Sequence, residues 1–223
     1  MPHSGKHLTL AHMREEIGRI ERRPGRRGGT VACRLAAIDA ALPGGGFPRG
    51  ALSELSGGPA SGKTAAALSL LAALDPEDLF AWVDGRGELY PPAAAARGVD
   101  LTRLLVVRPL LPAAGRRPPA REAPWRAALW ACEALLASGA FAAVAMDVPV
   151  PRGIAGADAI ARRLQAAAER GGTIGLWLTA PEGGLRFRVA VRLELATEAG
   201  RVVARRALLG PAAVPAGGGG RAA

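Results

Sequence analysis

The sequence predicts an α/β fold in which a mostly parallel sheet carries helices on both faces. Short apolar runs alternate with helical stretches from about residue 30 onward, a pattern typical of parallel strands joined by helices. Apolar residues make up 49% of the chain but aromatic residues only 4%, and the many alanines favour close packing of helices on a sheet. With 223 residues, the chain is long enough for one domain with a buried core.

Five short apolar runs are predicted to be strands of this sheet. They lie at about 51–56, 79–84, 103–107, 141–147 and 173–179. Helices are predicted between them at about 63–74, 125–138 and 155–170. Trp125 and Trp130 are expected to anchor the second of these helices in the core.

The last part of the predicted core has a different pattern. Polar and apolar residues alternate in the runs LRFRVAVRLEL and RVVARRALL, on either side of a turn at 197–200. Alternation of this kind is typical of an antiparallel pair with one solvent-facing side. We therefore expect a C-terminal antiparallel hairpin beside the parallel strands.

The N-terminal region is predicted to form a separate helix from about residue 8 to 22. Its apolar residues recur at steps of three and four, which gives the narrow seam of a helix that lies on another surface. The seam residues are Leu10, Met13, Ile17 and Ile20. The pattern leaves two alternatives open. The helix packs on its own domain, or it docks on a partner while the basic link that follows Pro24 tethers it to the core.

These patterns divide the chain into three parts. Residues 1–30 comprise the N-terminal helix and a basic flexible link, residues 31–209 the α/β core, and residues 210–223 a disordered Gly/Pro-rich tail. No apolar run approaches the ~18–20 residues of a membrane span, and no secretory signal is recognisable, so we expect a cytoplasmic protein without membrane contact. Cys33 and Cys132 are too few for a disulfide framework and are expected to be small buried hydrophobes.

The chain carries a net charge of +10, nearly all of it from arginine. Such a charge favours nucleic acid or an acidic partner. The abundance of Ala, Gly, Pro and Arg is, however, also what G·C-rich codons produce. Composition alone leaves these two explanations open.

The run SGGPASGKT follows a predicted strand and opens a predicted helix. It contains the phosphate-loop pattern of glycine, four residues, glycine, lysine and a hydroxyl residue. The glycines let backbone N–H groups turn toward phosphate oxygens, and the helix N-terminus adds its positive dipole end. Lysine suits the β- and γ-phosphates and the hydroxyl suits Mg²⁺, so we expect ATP with Mg²⁺ to bind here. The predicted nucleotide-binding residues are Gly57, Gly58, Pro59, Ala60, Ser61, Gly62, Lys63 and Thr64.

Asp147 ends the strand predicted at 141–147 and is expected to complete this site. A carboxylate at a strand end can hold Mg²⁺ through water, so the predicted metal site comprises Thr64 and Asp147. Aspartate at such a position is also a common helix cap, and the assignment therefore depends on the phosphate loop upstream.

The order of four motifs resembles the ATPase core of the bacterial recombinase RecA. The motifs are LAAIDAALPGGGFPRGALSEL, GGPASGKT, VDGRGELYPPAAAARGVDLTRLL and VAVRLEL. The resemblance covers residues from about 31 to 208 and implies a RecA-like P-loop NTPase core.

The departures from the RecA pattern concern the residues that would hydrolyse ATP. RecA proteins carry a catalytic glutamate two residues after the strand-end aspartate, whereas here Asp84 is followed by Arg86, which cannot accept a proton at neutral pH. Glu88, two positions further on, is the remaining candidate base. Thr179 and Ala180 replace the amide pair that senses the γ-phosphate in RecA, and the DNA-binding loops are shortened. The resemblance thus implies nucleotide binding without recombinase activity.

A short RecA-like chain with an N-terminal helix, an altered catalytic centre and no expected RecA C-terminal domain is similar to the ImuA family. This resemblance implies an accessory factor in the SOS DNA-damage response that supports error-prone translesion synthesis and associates with the nucleoid during DNA damage. The implied partners are an ImuB-type polymerase-like protein, RecA, and a second copy of the chain. The N-terminal helix is the docking element by analogy with RecA subunits.

Two other functions are compatible with the sequence. A DNA-dependent ATPase that modulates recombination filaments would contact DNA through arginines in and beside a Pro/Arg-rich insert. Those arginines are Arg108, Arg116, Arg117, Arg121 and Arg126. No aromatic residues interleave with them, so we expect weak DNA contact. An inhibitor of cell division resembling SulA would share the fold, but SulA lacks a phosphate loop, and Lys63 and Thr64 argue against it.

Overall fold

A computed structural model describes residues 28–109, 123–151, 153–181 and 189–210. The N-terminal helix predicted at 8–22, nearly all of the predicted tail and most of the Pro/Arg-rich insert lie outside the described residues. The strands are β1 (Thr30–Val31), β2 (Phe47–Pro48), β3 (Leu52–Ser56), β4 (Leu79–Asp84), β5 (Leu104–Val107), β6 (Phe141–Asp147), β7 (Ile174–Thr179), β8 (Val191–Glu198) and β9 (Arg201–Leu209). The α-helices are α1 (Ala36–Asp39), α2 (Lys63–Ala73), α3 (Pro91–Ala96), α4 (Pro124–Ala137) and α5 (Ala157–Gly171).

A seven-stranded sheet in the order β5-β4-β6-β7-β3-β8-β9 forms the centre of the fold. Its neighbouring strands run parallel except for the last pair, β8 and β9, which is antiparallel. β1 and β2 form a separate antiparallel pair. The predicted fold class is confirmed, including the C-terminal hairpin, and the five predicted parallel strands begin and end within one residue of their expected bounds.

The core consists of two apolar layers, one on each face of the sheet. In β4, Phe80 and Trp82 belong to one layer, and Ala81 and Val83 to the other, because successive side chains of a strand point to opposite faces. α2 covers the first face, whereas α4 and α5 cover the second. Burial on both faces explains why the central strands are continuous apolar runs in the sequence.

The structure differs from the sequence-based expectations in three places. α1, α3 and the β1–β2 pair are too short for periodicity to reveal them. Trp130 was wrongly predicted to anchor the core: it is 71% exposed on α4, whereas Trp125 is half-buried against the second layer. The hairpin turn is centred on Ala199 and Gly200, one residue later than expected, and both have the positive φ of a type I′ turn.

Two further expectations concern the cysteines and membrane-spanning helices. Cys33 and Cys132 are free and buried, as predicted for small hydrophobes. Within the described ranges, no helix combines the length and the apolar character needed to cross a bilayer.

The carboxyl ends of the parallel strands meet at one edge of the sheet, which is where open α/β sheets bind ligands. The loop after β3 is the predicted phosphate loop, and it continues into α2. The pairing register places Asp84 beside Asp147, and Ser56 beside Thr179. Residues singled out separately in the sequence therefore lie at the same edge.

Candidate phosphate-binding site

A cleft of about 810 Å³ opens at this edge of the sheet. The whole predicted loop, 57–64, lines the cleft, together with Asp147, Arg86 and Glu88. The structure thus brings together the residues that the sequence assigned to nucleotide and Mg²⁺. It also adds residues that the sequence-based assignment missed, namely Arg97 and, from the β8–β9 hairpin, Thr197, Gly200 and Val202.

The phosphate loop is a tight turn between a buried strand and the first turn of α2. Gly62, immediately before the helix, has φ +89°, a conformation that favours glycine. A Cβ atom at this position would lie 2.4 Å from Val202 Cγ2, because β9 packs directly on the loop. Thr197 Oγ1 donates a hydrogen bond of 2.8 Å to the Ala60 carbonyl oxygen. The hairpin therefore supports the loop from its outer side.

Lys63 folds back onto the loop that precedes it. Its Nζ donates hydrogen bonds to the carbonyl oxygens of Gly57 and Gly58, at 2.5 and 3.2 Å. Burial lowers the pKa of Lys63, and Arg86 lowers it further, whereas the charges of Asp147 and Glu88 raise it. The ammonium group is thus bonded to two carbonyl oxygens in the cleft. A phosphate oxygen that enters the cleft can replace these carbonyl oxygens as its acceptor.

Ser61 provides a further indication of a ligand. The residue is buried, and its hydroxyl oxygen has no hydrogen-bond partner within the described residues. An unpaired polar atom in a cleft lined by a phosphate loop fits a phosphate oxygen as its partner. Together with Lys63 and the N-terminus of the 11-residue α2, this hydroxyl makes the loop suitable for a polyphosphate.

Asp84 has a structural task in this site. Its carboxylate is fully buried and accepts hydrogen bonds from the backbone N–H groups of Glu88 and Leu89, at 3.0 and 3.3 Å. Arg108 Nε donates to the same carboxylate at 2.9 Å. Arg108 therefore ties the loop after β4 to the sheet.

Arg108 is also one of the arginines that were candidates for contacting DNA. Another candidate, Arg126, packs over the Trp125 ring at 4.6 Å. The remaining candidates, Arg116, Arg117 and Arg121, lie outside the described residues.

Arg86 contacts Asp147 directly. Its Nε donates a hydrogen bond of 2.8 Å to Asp147 Oδ1, and the two groups form an ion pair. The loop that carries Arg86 is fixed by the Gly85 N–H, which donates to the Asp147 carbonyl oxygen at 2.9 Å. A Cβ atom at Gly85 would lie 2.9 Å from that carbonyl oxygen, so a side chain there would push the loop away from β6. The close approach depends on glycine.

Two opposing effects set the pKa of Asp147. Burial raises it, and the hydrogen bond and charge of Arg86 lower it. Asp147 and Thr64 both line the cleft, as the predicted Mg²⁺ site requires. The Asp147 carboxylate, however, already holds a cation from this chain. The hydrogen-bond donors of the cleft fit a triphosphate well. The carboxylate that would hold a metal ion is already paired, so the site fits a metal ion less well.

Glu88 lines the same cleft and is exposed. Its charge raises the pKa of both Lys63 and Asp147. Its backbone N–H is held by Asp84, so the residue occupies a fixed position in the loop. A role for Glu88 as a base stays a prediction.

The positions of the RecA sensor pair have other roles here. Thr179 is buried, and its hydroxyl donates to Glu54 Oε1 at 2.9 Å. Arg192 Nε donates to the other oxygen of Glu54 at 2.6 Å. This network joins β7, β3 and β8 below the phosphate loop. Ala180 lines the cleft and has no polar side chain.

A parallel α/β sheet with a phosphate loop between its first long strand and a helix defines a P-loop protein with a RecA-like core. Comparison with known proteins agrees with this class. Residues 14–119 match the family model described as the RecA N-terminal domain. That match includes the phosphate loop and the Asp84 segment.

Individual relatives point to the same family. The chain is 40% identical to Protein RecA of Lactococcus lactis subsp. cremoris (strain MG1363) over 74 residues, which are 33% of this chain and 19% of that protein. It is 41% identical to Protein RecA of Nostoc sp. (strain PCC 7120) over 81 residues, or 36% of this chain and 22% of that protein. The matched segments thus span about a fifth of these relatives' own length. These matches support a RecA-like family for this chain.

Proposed function

We propose that this chain is an ATP-binding, weakly or non-hydrolysing RecA-like accessory protein of the SOS DNA-damage response. In this role it supports error-prone translesion synthesis by binding an ImuB-type polymerase-like protein and RecA. The observation that carries the proposal is a complete phosphate loop beside an aspartate, Asp147, whose carboxylate is paired with Arg86.

The binding half of the proposal is supported by the cleft. Lys63, the unpaired hydroxyl of Ser61 and the N-terminus of α2 offer donors to a polyphosphate. The family model that matches residues 14–119, and hence the phosphate loop, is the RecA N-terminal domain, and the relatives compared above are named Protein RecA. ATP is accordingly the expected ligand in this part of the cleft.

The lack of strong hydrolysis is supported by Arg86. Attack on the γ-phosphate needs a group that orients or deprotonates water, and a guanidinium has no lone pair to do so. Arg86 extends from the loop after β4 to Asp147. A cation therefore occupies the position at which RecA proteins carry the glutamate that activates water. Glu88 is the remaining acidic side chain of that loop in the cleft.

The partner half rests on the resemblance to the ImuA family and on the predicted N-terminal seam of Leu10, Met13, Ile17 and Ile20. A helix with a narrow apolar seam on a basic link is suited to dock on another protein. The test is therefore to compare the capture of an ImuB-type protein and of RecA by the wild-type chain and by Ile17→Asp. Loss of capture by Ile17→Asp is expected, and capture that is equal for both would contradict the seam as docking element.

The nucleotide half is tested by measuring ATP affinity and turnover on one protein preparation. We expect ATP binding that Lys63→Ala weakens by about tenfold or more, because a charged donor to phosphate is lost. The matched control is Arg163→Ala, which removes a cation paired with Glu133 on the far face of the sheet. Turnover should stay near background with and without single-stranded DNA. Strong stimulation by DNA would instead favour the DNA-dependent ATPase.

A further inference from the structure

We propose that Arg86 is a built-in counter-cation of the nucleotide site, which takes the place of Mg²⁺ beside Asp147 and makes ATP binding independent of the metal. This inference rests on the proposed ATP binding in the cleft. It concerns how the site balances the charge of the phosphates, which the proposed function does not specify.

The first argument is the contact itself. Arg86 Nε lies 2.8 Å from Asp147 Oδ1, and the Asp147 side chain is only 13% exposed. A Mg²⁺ ion held through this carboxylate would lie close to the guanidinium, and the two cations would repel each other in a partly buried site. A bound Mg²⁺ would therefore have to compete with the guanidinium for this carboxylate.

The second argument is that the loop holds Arg86 in place. The Gly85 N–H binds the Asp147 carbonyl oxygen, and the Glu88 N–H binds the buried carboxylate of Asp84. Both anchors flank Arg86 along the chain. The ion pair is therefore part of a fixed loop, unlike a pair between two long side chains on a free surface.

The third argument is the charge of the cleft. Among its described lining residues, the cations are Lys63, Arg86 and Arg97, and the carboxylates are Glu88 and Asp147. The bond to Asp147 uses Nε, and the terminal nitrogens of the guanidinium are further donors that suit phosphate oxygens. Arg86 can thus neutralise Asp147 and face the phosphates at the same time, which are two tasks of a bound Mg²⁺.

The test is a calorimetric titration with the non-hydrolysable analogue AMP-PNP, once in excess Mg²⁺ and once in EDTA. For the wild-type chain we expect binding in EDTA to be at least as tight as in excess Mg²⁺, because Mg²⁺ in solution competes with the site for the metal-free analogue. For Arg86→Ala, which frees Asp147, we expect binding in EDTA to weaken by about tenfold or more and to recover in Mg²⁺. Arg163→Ala, the remote arginine control, should behave as the wild type.

Two further measurements keep the test decisive if Arg86→Ala folds poorly. Arg86→Gln keeps most of the side-chain length without the charge and should show the same dependence on Mg²⁺. Electron paramagnetic resonance with Mn²⁺ and AMP-PNP should detect bound metal in Arg86→Gln, and little or none in the wild type. In the Arg86→Gln background, Asp147→Asn should abolish the metal signal.

The outcomes separate the two proposals. AMP-PNP binding by the wild type only in Mg²⁺ would overturn the role of Arg86 and leave the proposed function standing. The same holds if the Arg86 variants and the wild type depend on Mg²⁺ equally. No binding by the wild type in either condition would overturn both.

Discussion

Asp84 and Arg86 are separated by one residue, yet their side chains act in different ways. Asp84 is fully buried and holds the backbone N–H groups of Glu88 and Leu89 together with the Arg108 guanidinium. Arg86 is partly exposed and reaches Asp147 on the next strand. The first residue shapes the loop, and the second places a charge in the cleft.

This difference predicts that Asp84→Ala destabilises the fold. A buried N–H that loses its acceptor costs about 1–3 kcal/mol, and two such groups depend on Asp84, so we expect a loss of at least about 2 kcal/mol. Arg205→Ala is the control, because both members of its ion pair with Glu198 are more than half exposed and its loss should cost less than about 1 kcal/mol. Urea unfolding measures both, and equal losses would contradict the structural role of Asp84.

Cys33 allows a prediction about pH. Burial raises the pKa of its thiol from 9.0 to about 12, and a hydrogen bond with Asp39 adds to the shift. The folded state therefore keeps the proton that the unfolded state loses above about pH 9. The contribution of this thiol to stability is complete below pH 9 and declines as the pH rises toward 12, by roughly 1.4 kcal/mol per pH unit.

The measurement is the difference in unfolding free energy between the wild type and Cys33→Ala at about pH 8 and about pH 10.5. The difference should shift in favour of Cys33→Ala at the higher pH. If it stays constant, the Cys33 thiol ionises equally in both states and the pKa shift is refuted.

At the scale of elements, the β8–β9 hairpin and the phosphate loop form one unit. The loop depends on β9 because Val202 fills the space beside Gly62, and on the turn because Thr197 binds the Ala60 carbonyl oxygen. Support from a hairpin that follows the loop by more than a hundred residues explains why the turn lies in the lining of the cleft.

We therefore predict that Gly62→Ala abolishes AMP-PNP binding and lowers the melting temperature. The new Cβ would lie 2.4 Å from Val202, on a backbone with φ +89° that disfavours side chains. Gly58→Ala is a matched control for the melting temperature, since nothing lies within 4 Å of its Cβ position. Adding Val202→Ala to Gly62→Ala should restore part of the melting temperature, and no restoration would contradict the clash as the cause.

At the scale of the whole molecule, the cleft joins segments that are far apart in sequence. The phosphate loop follows β3, Arg86 and Glu88 follow β4, and the turn between β8 and β9 closes one side. A ligand that contacts all of them should restrict them together.

Hydrogen exchange tests this expectation. AMP-PNP should slow exchange in residues 57–64, 85–89 and 196–202 in parallel, because binding to the folded state raises the free energy of local opening. Lys63→Ala should remove the protection in all three segments. Protection limited to the phosphate loop would show that the ligand does not engage the rest of the cleft.

The sequence by itself determined the elements that depend on local patterns. Apolar runs located the five parallel strands, alternation located the hairpin, and the phosphate loop was evident from its glycines and Lys63. Each of these signals lies within a few consecutive residues, because hydrogen bonding in a strand or turn repeats over short distances along the chain.

Only the tertiary structure decided which side chains meet. Arg86 and Asp147 are 61 residues apart in sequence, and they pair because β4 and β6 are neighbours in the sheet. Val202 and Thr197 reach the phosphate loop because β8 packs beside β3. Strand order follows from how the two apolar layers pack as a whole, and no short stretch of sequence encodes it. The phosphate loop could therefore be predicted from the sequence, whereas the cation beside its aspartate could not.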